Sequence, residues 1–343
     1  MSRFIGKPSP SRLDKLLRGS FGKKSEKILV GAGPGLDAAV LELGDGRVMV
    51  VAEDPIFPAP NLPLDLMGWF TVHIGASDVA VTGVKPEFMS YTLLMPPESS
   101  EEEARTIIAS ISDTAKELEI SIVGGHTGWY SAVVVPIVGG VTVWGYAPQS
   151  QWVSPGGSQD GDVILMSKGP AIEAAALLAV LYRDKLTGKI AENVLDKLCA
   201  RSHEITVVKD ALTAFEAGGV HAMHDATEGG VLGGLWEMSA SSGLKLEADL
   251  DAVDVPADIG QLAEALDFDP WQVISEGTLL VAAKPDAVDK IIDAWQELGI
   301  PSYRLGKFEA SLRDIQIKRN NQIKSLPEPE KDPFWELFFA GLQ

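Results

Sequence analysis

The chain has 343 residues, of which 45% are hydrophobic and 22% charged, a composition typical of globular proteins and a length that predicts two domains. Its net charge of −19 argues against a non-specific nucleic-acid binder, because such binding needs a basic surface. The single cysteine, Cys199, excludes internal disulfides, and no apolar run approaches the roughly 18 residues of a membrane span, so we expect a cytoplasmic protein with no membrane partner.

The first half of the chain mixes predicted helices and strands. Leu13, Leu16 and Leu17 predict a short amphipathic helix in a basic N-terminal arm, which is either solvated or a flap that supplies cations to phosphates. A Pro- and Gly-rich stretch at 148–161 predicts a boundary between domains at 1–150 and 151–343. Between the arm and this stretch we predict a hairpin with strands at 38–43 and 48–52, a helix at 64–84 and a strand at 88–95. A helix to about 118, a short buried strand at 120–123 and a strand region at 132–146 follow.

The second half repeats this mixture, so both halves indicate an α+β or α/β class. A last short helix at 334–339 would dock its apolar face on the protein or, alternatively, bind a partner. The predicted strands lie at 163–167, 221–224, 278–282 and 303–307, and the predicted helices at 172–182, 204–217, 227–241 and 287–298.

Four acidic sites combine a carboxylate with small neighbours near an apolar run. They contain Asp37, Asp54, Asp78 and, in Asp225-Ala226-Thr227-Glu228-Gly229-Gly230, Asp225. One such carboxylate alone is usually a turn or helix-cap residue. Because Mg²⁺ prefers oxygen ligands and glycine lets the backbone approach a ligand closely, the coincidence of several favours a metal–nucleotide site.

The glycine-containing motifs leave several interpretations open. Gly124-Gly125-His126-Thr127 is a turn whose histidine could contact phosphate or move a proton, although His126 is a weak Mg²⁺ ligand. Thr227 or Asp225 is expected to cap a helix whose free N–H groups suit an anion. The run at 31–35 lacks the features of a P-loop or a dinucleotide-binding turn. The other histidines are interpreted as structural: His73, His203, His221 and His224.

In this order, over roughly residues 31–308, the motifs resemble the AIR synthase (PurM-like) superfamily. This superfamily includes AIR synthase, formylglycinamidine synthase, selenophosphate synthetase, thiamine-monophosphate kinase and the hydrogenase maturation protein HypE. The matching segments are Leu36-Asp37-Ala38-Ala39-Val40, Ala52-Glu53-Asp54, Gly75-Ala76-Ser77-Asp78-Val79-Ala80, Val123-Gly124-Gly125-His126-Thr127, Gly161-Asp162-Val163-Ile164, His224-Asp225-Ala226-Thr227-Glu228-Gly229-Gly230 and Ser275-Glu276-Gly277.

The resemblance implies a PurM-like two-domain fold. Its N-terminal domains pair strands across a homodimer interface, and its C-terminal domain is an α/β sandwich. It also implies ATP in a cleft, with Mg²⁺ held by Asp37, Asp54 and Asp78. The further nucleotide-binding positions that it implies are Gly35, Ser77, Gly124, Gly125, Thr127, Thr227 and Glu228, and His126 and Asp225 are the catalytic candidates.

Departures from the family pattern bear on the activity. Leu36 stands where the family often has a second acid, His126 where it usually has Asp or Glu, and Ser77 is closer to the thiamine-monophosphate kinase pattern than to HypE. The sequence also lacks the C-terminal Cys of HypE. We therefore expect no carbamoyl transfer to Cys199, which a helical pattern predicts to be buried.

The resemblance and these departures together indicate an ATP- and Mg²⁺-dependent enzyme that activates or phosphorylates a small-molecule carbonyl, amide or alcohol. This activity would be related to that of AIR synthase or HypE. A thiamine-monophosphate kinase-like phosphotransferase is an alternative. A non-catalytic nucleotide-binding regulator is another, because Leu36 and His126 depart from the pattern. The acceptor and any partner protein stay open.

Overall fold

The computed structural model describes residues 5–59 and 61–342. The first half contains helix α1 (Pro10–Leu17), strands β1 (Ile28–Val30), β2 (Ala39–Glu42) and β3 (Arg47–Ile56), helix α2 (Leu64–Ala80), strand β4 (Phe88–Met95), helix α3 (Glu101–Glu117), and strands β5 (Ser121–Trp129) and β6 (Ile137–Pro148). The second half contains β7 (Val163–Ser167), α4 (Ile172–Leu181), α5 (Arg183–Leu186), α6 (Glu192–Ala200), α7 (Val208–Ala217), β8 (Val220–Asp225), α8 (Gly230–Ser242), β9 (Lys245–Asp249), α9 (Ala257–Leu266), β10 (Leu279–Ala283), α10 (Val288–Glu297), β11 (Ser302–Glu309), β12 (Ile315–Arg319), β13 (Gln322–Ser325) and α11 (Phe334–Gly341).

The first sheet has six strands in the order β1-β2-β3-β6-β4-β5, and all its neighbours pair antiparallel except β4 and β5. Helix α2 packs so closely on this sheet that a side-chain carbon at Gly75 would lie 2.9 Å from Val143. At Gly68 the same carbon would lie 2.6 Å from Ser110 of α3. These two close contacts position α2, whose last turn carries Asp78.

The second sheet has seven strands in the order β13-β12-β9-β11-β7-β10-β8, with only β12 and β9 parallel. Alternate residues of its strands point into two different apolar cores. One core joins this sheet to helices α4, α7 and α10 and continues to the first sheet, and it includes Val281 and Trp295. The other covers the opposite face, where Leu235 of α8 packs in the same cluster as Leu280 and Phe308.

Two sheets with helices packed against them confirm the expected mixed helix–sheet architecture. The strands of the first sheet end at Pro148 and those of the second begin at Val163. A domain boundary at residue 150 falls between them and remains a prediction.

Strand β5 was predicted as a buried strand of four residues, and the structure contradicts this prediction. It is nine residues long and mostly exposed, because it is an edge strand that pairs with β4 alone among the described residues. The predicted turn at Gly124-Gly125 lies inside this strand. Gly125 has φ +146°, and a side-chain carbon there would lie 2.1 Å from the Tyr91 carbonyl oxygen. Glycine therefore allows the close approach of β4 and β5 instead of reversing the chain.

Helix α8 begins at Gly230, three residues later than predicted. Gly229 and Gly230 both have positive φ, +86° and +61°, so the chain turns here before it becomes helical. The residue at the N-cap is Gly229, and the prediction that Thr227 or Asp225 caps the helix is wrong.

Several boundaries follow the predictions closely. Strand β4 covers the predicted residues 88–95, and α3 begins after the Ser100 side chain, which accepts a hydrogen bond from the Glu103 N–H in a capping box. Cys199 on α6 is half-buried, not fully buried as predicted, and its sulfur lies 3.5 Å from a guanidinium nitrogen of Arg183. Within residues 5–59 and 61–342, no helix combines the length and the apolar character that crossing a membrane requires.

Candidate functional site

An acidic cleft with a volume of about 250 Å³ lies where the two halves of the chain meet its termini. Its walls come from the N-terminal arm (residues 5–17), the loop before β2, strand β3, helix α2, the region of β8 and α8, and the C-terminal segment (residues 328–341). The titratable residues that line it are Lys7, Asp37, Glu53, Asp54, Asp78, His224, Glu228, Glu237, Glu276, Glu330, Lys331 and Asp332.

Local backbone geometry brings the distant carboxylates together. Gly35 has φ +70°, and a side-chain carbon there would lie 2.9 Å from Cβ of Glu237, so this loop lies directly against α8. Asp37 follows in the same loop. Asp54 lies where the pairing of β3 with β6 shifts register, an irregularity of the kind that redirects side chains. Asp225 is the last residue of β8.

His224 joins two of these carboxylates. Its Nδ1 lies 2.8 Å from a carboxylate oxygen of Asp37, and its Nε2 lies 2.9 Å from Oε2 of Glu237. Burial opposes a charge on the ring, but the charge of Asp37 and the hydrogen bonds to both carboxylates raise the pKa of His224 well above its ordinary value. The ring is therefore an imidazolium that donates to both carboxylates and fixes the orientation of Asp37.

Asp225 is the least satisfied group of the cleft. Ligand atoms of Asp37, His224 and Asp225 all lie within 4.8 Å of one another. As a carboxylate, Asp225 finds no hydrogen-bond donor for either oxygen among the described residues, and Oε1 of Glu276 finds none either. The side chains of Asp225 and Glu276 lie close enough to form a hydrogen bond with each other when one of them carries a proton. Buried polar atoms are normally paired, so these orphaned oxygens need a proton or a cation.

The shifts in pKa follow from this crowding. Burial and the charge of Asp37 raise the pKa of Asp225 to about 6. Burial and the charge of Asp54 raise the pKa of Asp78 well above its usual value, and burial and Asp225 do the same to the pKa of Glu276. A divalent cation would relieve both the repulsion and the missing contacts, and carboxylate oxygens are the ligands that Mg²⁺ prefers. The residues present thus fit a magnesium ion.

The C-terminal segment closes one side of the cleft. Asp332 accepts hydrogen bonds from the Gly229 N–H at 2.7 Å and from the Phe334 N–H at 2.8 Å. The Trp335 indole donates to Oε2 of Glu228 at 3.0 Å. Burial raises the pKa of Asp332 to about 7. The Gly229 N–H, in the turn predicted to offer free N–H groups to an anion, therefore already has a partner in this chain.

The structure brings seven of the predicted site residues together and leaves five elsewhere. Those in or beside the cleft are Gly35, Asp37, Asp54, Asp78, Asp225, Thr227 and Glu228. Ser77 instead points away from the cleft: its hydroxyl donates to the His73 carbonyl and accepts from the Val207 N–H. Gly124, Gly125, His126 and Thr127 lie on the exposed edge strand β5, where His126 hydrogen-bonds the Tyr130 hydroxyl.

Sequence reasoning missed other lining residues. His224 was interpreted as structural, although it directly precedes Asp225 in the motif that was singled out. Glu276 lies in the quoted Ser275-Glu276-Gly277 segment and received no role. Glu237 and Asp332 had no local signal, because each meets the cleft only through tertiary structure. Lys7 belongs to the basic arm for which a flap that supplies cations to phosphates was one of two interpretations.

Comparisons with known proteins agree with this fold. The family model of AIR synthase related protein, N-terminal domain, matches residues 35–147, and that of the C-terminal domain matches residues 159–316. A putative hydrogenase expression/formation protein of Methanocaldococcus jannaschii is 24% identical over 291 residues, 83% of each chain. The structure of AaThiL complexed with AMPPCP and TMP matches with a TM-score of 0.71 at 16% identity, over 94% of each chain. That of hydrogenase maturation protein HypE in complex with ATP matches with a TM-score of 0.66 at 20% identity, over 94% of this chain and 96% of the other. These matches confirm the PurM-like two-domain fold, and the chain belongs to the AIR synthase related family.

Proposed function

We propose that this chain is an ATP- and Mg²⁺-dependent enzyme that activates or phosphorylates a small-molecule carbonyl, amide or alcohol. The observation that carries the proposal is the convergence of Asp37, Asp54 and Asp78 on one cleft, with the buried carboxylate of Asp225 next to Asp37 and without a donor for either oxygen. The similarity to structures with ATP and AMPPCP supports a nucleotide as the partner of these carboxylates.

Different residues of the chain would have different roles in such a reaction. Asp37, Asp54 and Asp78 would hold the metal, and the His224 imidazolium orients Asp37 through its hydrogen bond. Bound Mg²⁺ supplies charge neutralisation and alignment for the triphosphate. Asp225, whose pKa is raised to about 6, is suited to take a proton from the acceptor near neutral pH.

The charge of the cleft bears on the acceptor. Nine acidic side chains line it, against two lysines and His224, and no arginine is among its lining residues within the part of the chain that the structure describes. An acceptor that carried its own phosphate would face an excess of carboxylates over the few cations of the lining. The lining therefore favours an uncharged acceptor, such as an amide, carbonyl or alcohol, over a thiamine-monophosphate kinase-like reaction.

A nucleotide-binding regulator is the second candidate. Leu36 lines the cleft at the position where a second acid was expected, and His126 does not reach the cleft within one chain. Such a protein would bind Mg–ATP through the same carboxylates without turning it over.

We also propose that the protein is a homodimer formed at β5. This edge strand and the loop after it expose apolar side chains, at Ile122, Val123, Trp129, Tyr130, Val134 and Val135. Unpaired edges with apolar side chains are where a second chain adds to a sheet. The predicted strand region at 132–146 does not offer this edge, because β6 already pairs with β3 on one side and β4 on the other.

The test measures Mg–ATP binding by calorimetry and phosphate release in the presence of candidate acceptors. Asp54→Asn and Asp78→Asn should each weaken Mg–ATP binding by about tenfold or more without loss of fold, because each removes an anionic ligand. Wild-type affinity in both variants would disprove the metal assignment. Binding without turnover for every acceptor would favour the regulator.

A further inference from the structure

The N-terminal arm reaches across the acidic cleft through Lys7. The main-chain N–H of Lys7 donates to Oε2 of Glu228 at 2.8 Å, and its Nζ lies 3.4 Å from Oγ1 of Thr227. Removal of water opposes a charge on this amine, but the carboxylates of Asp54 and Glu237 outweigh that effect and raise its pKa. Lys7 thus places an ammonium in the cleft that Asp54 and Asp78 also line, and Thr227 is the hydrogen-bond partner of its Nζ.

The arm is held by a few specific contacts. Gly6 has φ +77°, and a side-chain carbon there would lie 2.4 Å both from Oε2 of Glu228 and from Nε1 of Trp335, so only glycine lets the arm pass. The Ser11 N–H donates to Oε1 of Glu328 at 2.7 Å. Helix α1, however, buries none of its residues. An arm with so little buried apolar surface opens at small cost in free energy.

The other cation of the cleft is held quite differently. His224 is buried and donates to carboxylates on both sides, so it stays in place when a ligand enters. Lys331, the second lysine that lines the cleft, is ion-paired with Glu336. Lys7 is therefore the cation of this cleft whose position depends on a surface arm alone.

We propose that Lys7 is an internal counter-ion that competes with the divalent metal for the carboxylates of the empty cleft and that pairs with a phosphate of the bound metal–nucleotide. The proposal rests on the proposed function for its second half only. An ammonium and a divalent cation repel each other at one carboxylate cluster, so the metal binds as Lys7 withdraws. A triphosphate then offers the withdrawn ammonium new anionic oxygens within the same cleft.

The two parts of this proposal, competition with the metal and pairing with a phosphate, predict opposite effects of one substitution. A purely structural role for Lys7 would not produce opposite effects. Lys7→Gln removes the charge and keeps the length of the side chain roughly the same. It should bind Mn²⁺ without nucleotide about five- to tenfold more tightly than wild type, and ATP at saturating Mg²⁺ about five- to tenfold more weakly. Lys7→Arg, which keeps the charge, should behave like wild type in the Mn²⁺ titration.

The experiment is calorimetry on the full chain, with circular dichroism to verify the fold of each variant. Lys15→Gln is the matched control, because Lys15 lies on the exposed side of α1 and its loss changes the net charge equally. If Lys7→Gln and Lys15→Gln give the same Mn²⁺ affinity, or if Lys7→Gln weakens both Mn²⁺ and ATP binding, the counter-ion role is wrong. If wild type binds Mn²⁺ but no ATP, the proposed function fails, and the Mn²⁺ comparison still decides whether Lys7 competes with the metal.

Discussion

Replacing Asp225 with Asn should stabilise the metal-free protein, although it removes a buried side chain of the candidate site. Asp225 is 1% exposed and, when ionised, has no hydrogen-bond donor among the described residues other than a protonated Glu276, while ligand atoms of Asp37 lie within 4.8 Å. At that separation, two unit charges repel by about 3.5 kcal/mol if the effective dielectric constant is 20. The amide of Asn carries no charge and can donate a hydrogen bond to a neighbouring carboxylate.

The raised pKa of Asp225 leads to a similar magnitude and adds a dependence on pH. A folded-state pKa of about 6 against an ordinary value of 3.8 costs about 3 kcal/mol of stability once the group is ionised in both states. Because the folded-state pKa is raised, this stability is present below pH 3.8 and is lost as the pH rises through 6. The gain from Asp225→Asn should therefore be about 3 kcal/mol at pH 7 and about 2 kcal/mol at pH 5.

The assay is urea unfolding in the presence of a metal chelator at pH 5, 6 and 7. Asp162→Asn is the control, because Asp162 is equally buried but accepts hydrogen bonds from His221 at 2.8 Å and from the Gln159 N–H at 2.7 Å. That variant should lose about 1–3 kcal/mol of stability. A destabilised Asp225→Asn protein, or a gain that does not grow from pH 5 to pH 7, would show that Asp225 is not an uncompensated charge.

Two further predictions concern other parts of the chain. Burial, with the charges of His203 and Lys168, lowers the pKa of His73 to about 4. As the pH falls, the unfolded state therefore takes up a proton before the folded state does. About 3 kcal/mol of stability is lost between pH 6.5 and pH 4. His73→Gln should flatten the dependence of the urea midpoint on pH across this range, and an equally steep profile in the variant would contradict the assignment. Val123→Arg on β5 should convert a dimer to a monomer in light scattering at micromolar concentration, whereas Leu312→Arg, at a 91% exposed site away from this edge, should leave the mass unchanged; a monomeric wild type would refute the proposed interface.

Local signals in the sequence predicted the elements that depend on local physics. Helix α3 begins at a capping box within four residues of sequence, and β4 keeps its predicted bounds because alternation and flanking residues define it. Strand β5 was predicted as buried because its first residues are apolar. Its exposure depends on its place at the edge of the sheet, which no window of sequence contains.

Some residues of the candidate site were likewise predictable from local sequence, and others were not. Asp37, Asp54, Asp78 and Asp225 carry a motif signal, whereas the role of His224 depends on Asp37, which lies 187 positions away in the chain. A histidine that donates to one backbone carbonyl and a histidine that joins two carboxylates have the same appearance in a sequence. Only the fold, by placing the loop before β2 against α8, distinguishes them.

The net charge of the cleft explains why a mobile cation belongs at its entrance. Carboxylates that bind a divalent metal tightly must repel one another when it is absent, and burial together with that repulsion raises the pKa values of Asp78, Asp225 and Glu276. A permanently fixed cation would relieve it but would also exclude the metal. His224 hydrogen-bonds Asp37 and Glu237 and holds them from a buried position. In the proposed role of Lys7, a lysine on a surface arm offsets part of this repulsion and can still give way, so the weak attachment of α1 would allow the same carboxylates to be stable without a metal and to bind one together with a nucleotide.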